Sequence, residues 1–226
     1  MASNRIIKAQ LSSVSSSSAS STRLLDDHRF RALLSEQDWG RLPLAVWRRF
    51  SKRLADGATV VYVGVVDEIH VSRAGWWLAQ AARAIGGPLP LVYEPGAPMM
   101  VAVTEDGGCG GQNWTRICAR STGFPQVIHS CKRFEGPTGL EEYVGFGVSM
   151  ALVISVVDEA ICFSGAFYSF QLGRLRLPLP RWLTPGNLTV THRDLGEGRF
   201  RFTLEVVHPR FGRLIRQSAV FREAIS

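Results

Sequence analysis

Glu68 and His70 stand two residues apart at the end of a run rich in β-branched side chains, Thr59 to Val71. A strand sends residues two apart to the same face, so the pair is expected beside Val60, Tyr62 and Val66. An acid and an imidazole held together in an apolar pocket can serve as general acid and base, because burial raises the carboxyl pKa toward neutrality. The alternative is a frayed strand end whose polar groups cap the next helix.

A second constellation begins at Gln112, where Gln112, Trp114, Arg116, Cys118 and Arg120 alternate onto one face. In the following run Val127, His129, Cys131 and Arg133 do the same. A face mixing Trp, Arg, His and Cys is too polar for a dry core and too apolar for a plain solvent face. Such a surface suits a ligand, with Arg116 pairing a carboxylate or phosphate, Trp114 packing on an apolar body and His129 adding a polar contact. The competing reading is a cation-π contact of Arg116 on Trp114 with no ligand. Further on, Phe200, Phe202, Leu204 and Val206 alternate with Arg199, Arg201, Thr203 and Glu205, the clearest period-two pattern in the chain. Met150, Leu152, Phe163, Phe167, Phe200 and Phe202 are expected to line a cavity, and Arg181 is a further candidate for a ligand contact.

Other chemistries are disfavoured. The four cysteines, Cys109, Cys118, Cys131 and Cys162, form no Cys-x-x-Cys pair, and no histidine cluster stands at zinc-ligand spacing. No metal and no cofactor is expected, and the thiols are expected to be reduced, buried and inert in a cytoplasmic protein. There is no Gly-x-Ser-x-Gly elbow. The acid pairs Glu141-Glu142 and Asp158-Glu159 are adjacent, so their side chains point apart and make no two-carboxylate site. The net charge of +7 is partly a tail effect, since Arg5, Lys8 and Arg23 carry +3 of it within residues 1 to 25. The remaining arginines recur singly, as on the solvated face of a sheet, and nucleic acid is not expected as a partner.

These residues need strands to hold them. Beyond Pro98 the pattern predicts nine strands, from about Met99 to Phe221, joined by hairpin signals such as Asp106-Gly107-Gly108, Asp158-Glu159 and Glu197-Gly198. Together with the strand at Thr59 to Val71 they make a long antiparallel meander, which must curl to avoid long exposed edges. Two short amphipathic helices are expected between Leu24 and Leu54, and a third, capped by Ser72, from about Ala74 to Ala84. In that third helix Trp76 and Trp77 point about 100° apart, so one is expected in the core and the other over an opening or at a membrane surface. The fold class is therefore mostly β (α+β): a meander curled into a barrel or half-barrel, with two to three helices closing one side. Residues 1 to 22 read as a serine-rich disordered tail, which also has the composition of an organellar transit peptide, and 23 to 226 as a single domain. No apolar run reaches the roughly 18 residues of a membrane-spanning helix.

Between two of the strands runs Leu177-Pro178-Leu179-Pro180-Arg181-Trp182-Leu183, expected as a stiff connector anchored by Trp182. This run resembles a bacterial family of domains of unknown function, together with Phe30-Arg31-Ala32-Leu33-Leu34, Trp114-x-Arg116, Gly198-Arg199-Phe200-Arg201-Phe202 and His208-Pro209-x-Phe211-Gly212. That family occurs alone and also fused behind a saccharopine-dehydrogenase-like domain, which implies a separate dehydrogenase-like partner. The chain itself has no Gly-x-Gly-x-x-Gly segment, so the resemblance implies no nicotinamide chemistry.

Three functions follow as expectations. The first is a binding module for an apolar small molecule or lipid in a β-barrel-like cavity. The second is an isomerase or cyclase acting on a bulky apolar substrate through Glu68 and His70. The third is a peripheral membrane or protein-interaction module acting through Trp76 and Trp77.

Overall fold

The computed structural model describes residues 24–54, 58–91 and 94–224; the expected tail, 1 to 22, lies outside them. Ten strands close into an antiparallel barrel: β3 (Thr59–Val71), β4 (Pro98–Glu105), β5 (Gln112–Cys118), β6 (Gln126–Arg133), β7 (Glu141–Gly145), β8 (Val148–Val157), β9 (Ala160–Leu172), β11 (Asn187–Gly196), β12 (Arg199–His208) and β13 (Gly212–Glu223). Two pairings complete the ring, β8 with β9 and β13 with β3. Closure pairs every wall strand on both sides, which removes the exposed edges of so long a meander. A short ribbon of β1 (Leu24–Asp26) and β2 (Lys52–Leu54) lies outside the ring, and β10 (Leu175–Pro178) pairs only with β9.

The wall has one seam. Along one edge β9 pairs with β11 through Ile161 to Ser164, then with β10 through Ser169 to Leu172. Between these stretches β9 and β11 diverge, and the chain from Leu179 to Pro185 fills the gap. It is pinned there by a hydrogen bond from the Leu179 amide to the Tyr168 carbonyl, 2.8 Å. The proline-rich run is thus a flap over the seam. Trp182 is not its anchor, because its ring is 78% exposed.

The helices lie at opposite ends of the barrel, not on one side. At the end holding the 105–112 and 133–141 connections, α1 (Glu36–Gly40) and α2 (Leu44–Phe50) form a plug. Phe30, Trp39, Leu42, Val46 and Phe50 pack onto Leu140, Leu152, Ile154 and Phe163. Ion pairs from Arg49 to Asp194, Lys52 to Glu223 and Arg53 to Glu105 tie the plug to the strand ends. α3 (Arg73–Ala81) follows β3 at the other end, with Ser72 accepting from the Gly75 amide as its cap.

α3 meets the wall through its small residues. A Cβ on Gly75 would lie 2.1 Å from the Leu214 carbonyl oxygen, and Ala79 is fully buried. The close approach turns Trp76 and Trp77 outward, where they pack edge to face at 4.8 Å and neither enters the core. The core position expected of one of them is taken by glycine and alanine.

Candidate ligand cavity

A cavity of about 430 Å³ occupies the upper part of the barrel. Its walls carry Met99, Val101, Ile128, Val148, Phe163 and Phe202, and its mouth lies between α3 with the 85–90 segment on one side and Leu179, Leu183 and Pro185 on the other. The plug closes the far end. The volume falls within the range of about 300–1,000 Å³ typical of small-molecule pockets, and an apolar lining with a few convergent polar groups is their usual composition.

The polar groups gather on β5, β6 and β7. Lys132 and Glu142 are directly opposed across β6 and β7, with Nζ donating to Oε2 at 3.0 Å. Arg116 Nη2 donates to the other carboxylate oxygen and to Ser130 Oγ, both at 3.3 Å. The Lys132 ammonium also lies between two rings, 5.1 Å from the centroid of Trp114 and 5.4 Å from that of Phe163. Burial by itself would raise the Glu142 carboxyl, but Lys132 and then Arg116 outweigh it and hold the pKa at about 2. Burial lowers the Lys132 ammonium, and Glu142 opposes that shift. Two cationic side chains thus share one carboxylate at the side of an apolar chamber. Two more residues that line the cavity, Tyr168 and Gln217, each carry a buried polar atom, Oη and Nε2, without a hydrogen-bond partner among the described residues, a costly condition that a ligand acceptor would relieve.

The expected residues divide on this geometry. Trp114, Arg116 and Phe202 line the chamber, as do Met150 and Phe163. Arg116 does not stack on Trp114; Lys132 takes that place. Phe200 lies deeper, stacked on His192 at 4.8 Å beside a small void of about 30 Å³ between chamber and plug. Leu152 belongs to the packed core and Phe167 is exposed on the outer wall.

His129 is also outside, its Nδ1 3.1 Å from Thr115 Oγ1. On β6 it is Ile128, Ser130 and Lys132 that face inward, so the face chosen from sequence was the outer one. Arg181 projects into solvent from the flap.

Glu68 and His70 are both on the outer surface, and Glu68 accepts from Arg216 at 2.8 Å. The cause is a bulge: Ala219 pairs with Val66 but Ser218 pairs with Glu68, so Asp67 is skipped and the alternation inverts. Ile69 and Val71, in place of Glu68 and His70, turn toward the apolar side. The acid and base pair in a pocket is not formed.

Lys132, Glu142, Tyr168 and Gln217 were missed. Strand alternation does send Glu141 and Glu142 to opposite faces. Its consequence is that one of them, Glu142, points into the chamber, while Glu141 pairs with Arg176 outside it. Lys132 in register with Ile128 and Ser130 was the available signal.

The cysteines are all free, with Cys109 exposed and the others buried. Burial pushes the Cys118 thiol up to about 11 and Cys131 up to about 12, which suits unreactive thiols. One grouping was not foreseen: Asp106, Cys109 and Cys131 bring three possible donor atoms within 4.8 Å of one another. Asp106 accepts from both thiols, at 3.1 and 3.6 Å.

Residues 42–221 match a family described as a domain of unknown function, DUF4166. The chain belongs to this family. No curated protein and no solved structure matches it. The DUF4166 match begins at Leu42 and ends at Phe221, so it takes in the closed barrel, α2, α3 and the flap, and leaves out Phe30 and α1. Among the described residues no helix is long and apolar enough to cross a membrane.

Proposed function

We propose that this domain binds an amphipathic small molecule or lipid with an anionic head group, its apolar body inside the barrel. The observation that carries the reading is the pairing of one buried carboxylate, Glu142, with two cationic groups, Arg116 and Lys132, in the wall of an otherwise apolar chamber. A neutral ligand would leave the second cation half-satisfied, whereas a carboxylate or phosphate completes it. Arg116 is the contact residue, because its guanidinium is the more exposed of the two cations and reaches the cavity surface. Tyr168 and Gln217 supply donors to the same head group, and Trp114 and Phe202 pack on the body. A flap and a helix across the mouth suit a ligand that enters end-on.

Native mass spectrometry of the purified protein, followed by extraction and identification of what it carries, tests this directly. A long-chain acid or phosphate ester is expected, and its methyl ester should compete at least about tenfold less well, the difference of one charge-assisted contact. Empty protein that also fails to take up a fluorescent fatty acid, or that binds acid and ester alike, would sink the reading.

A further inference from the structure

Strand direction places the segments 72–97, 119–125, 146–147, 173–174, 179–186 and 209–211 at the mouth end of the barrel. These connections hold six outward-facing aromatic side chains: Trp76, Trp77, Phe124, Phe146, Trp182 and Phe211. Phe124 is 91% exposed, and Phe146 sits at a hairpin tip with φ 49°, a left-handed backbone that bulky residues rarely adopt. Apart from Phe167 on the outer wall, every large exposed aromatic among the described residues is on this rim.

Charge follows the same division. The rim connections carry Arg73, Arg83, Arg120, Arg174, Arg181 and Arg210, none with an acidic partner among the described residues, and one acid, Glu94. The turns at the opposite end hold Asp106, Glu135, Asp158, Glu159 and Glu197 and no arginine or lysine, while the plug at that end carries Arg29, Arg31, Arg41, Arg48, Arg49, Lys52 and Arg53, of which all but Arg31 and Arg48 are ion-paired. Trp76, Arg83 and Arg120 share one shallow groove that joins α3 to the 119–125 turn, so the pattern is continuous from one connection to the next.

We propose that this rim docks on an anionic phospholipid surface, with the barrel mouth facing the bilayer. Indole and phenyl rings partition to the level of the head groups, and arginines without acidic partners are attracted to anionic lipids. The match to lipid over protein or nucleic acid rests on the position of the aromatics, which encircle the opening of an apolar chamber. Docking stands on the rim alone and is independent of what the chamber holds.

The test is flotation of the intact chain with vesicles of phosphatidylcholine, alone or mixed with phosphatidylglycerol. Binding to the mixed vesicles is expected, weak on phosphatidylcholine and lost in high salt. Arg174→Gln, Arg181→Gln and Arg210→Gln should each lower affinity about fivefold, and Trp77→Ala with Trp182→Ala should lower it more than tenfold. Leu44→Ala, exposed at the plug end, should leave it unchanged. Quenching of tryptophan emission by brominated lipids gives a readout in the native chain that needs no variant. Absence of vesicle binding, binding that survives the rim substitutions, or capture of nucleic acid in place of vesicles would each overturn the proposal.

Discussion

Lys132 and Glu142 face each other across β6 and β7 inside the barrel, Nζ to Oε2 at 3.0 Å, with no more than 8% of either side chain exposed. Removing one partner leaves the other charged and buried. Glu142→Gln is expected to destabilise the fold by about 3 kcal/mol and Lys132→Met by less, since Arg116 still pairs the carboxylate, whereas Lys132→Met with Glu142→Leu should recover most of the loss, because the buried pair is removed together and only the more exposed Arg116 is left without its partner. Urea unfolding of the two single variants and the double variant checks this; a double variant as unstable as the sum of the singles would contradict it.

The same carboxylate sets an acid limit. Its folded pKa of about 2 lies below the ordinary value of 4.5, so its stabilisation is present above pH 4.5 and is lost as pH falls toward 2. Wild type and Glu142→Gln should therefore converge in stability across that window.

His192 acts in a higher window. It is buried against Phe200 and Phe202, and burial followed by the Arg49 charge depresses its pKa to about 3 from 6.5. The unfolded chain takes up a proton below pH 6.5 that the folded chain refuses, so stability falls with pH from there down to about 3, by up to about 1.4 kcal/mol per pH unit. His192→Phe, which keeps the ring and removes the titration, should flatten the stability profile between pH 6.5 and 4. A profile unchanged by the substitution would refute the assignment.

Gly75 is where α3 touches the wall. A methyl group there meets the Leu214 carbonyl at 2.1 Å, so Gly75→Ala should cost about 1–3 kcal/mol and push the helix from the mouth. Thermal unfolding reads the first effect and a faster release of bound fluorescent fatty acid the second.

On the flap, Leu179 and the half-exposed Leu183 border the mouth of the cavity while Trp182 faces solvent. Leu179→Ala with Leu183→Ala is expected to speed ligand release several-fold, and Trp182→Ala to leave both release and stability, within about 0.5 kcal/mol, unchanged. Stopped-flow displacement distinguishes them.

Much of the architecture is local and was therefore legible. Alternation and hairpin chemistry are properties of neighbouring residues, which is why the ten wall strands, the Ser72 cap and the inward faces of β5 and β12 follow from the sequence. So does the inward setting of Trp114, Arg116 and Phe202. Tertiary structure decided what depends on pairing partners. One skipped residue, Asp67, sends Glu68 and His70 outside, because a bulge exists only between two strands. Lys132 reads as a surface residue until Glu142 is brought opposite it, since a charge is tolerated in a barrel only beside a counter-charge contributed by another strand. One of Trp76 and Trp77 reads as core until Gly75 is seen to make the contact. The arginines and aromatics of the rim are scattered singly along the chain, and only an antiparallel barrel, which returns every second connection to the same end, collects them around one opening.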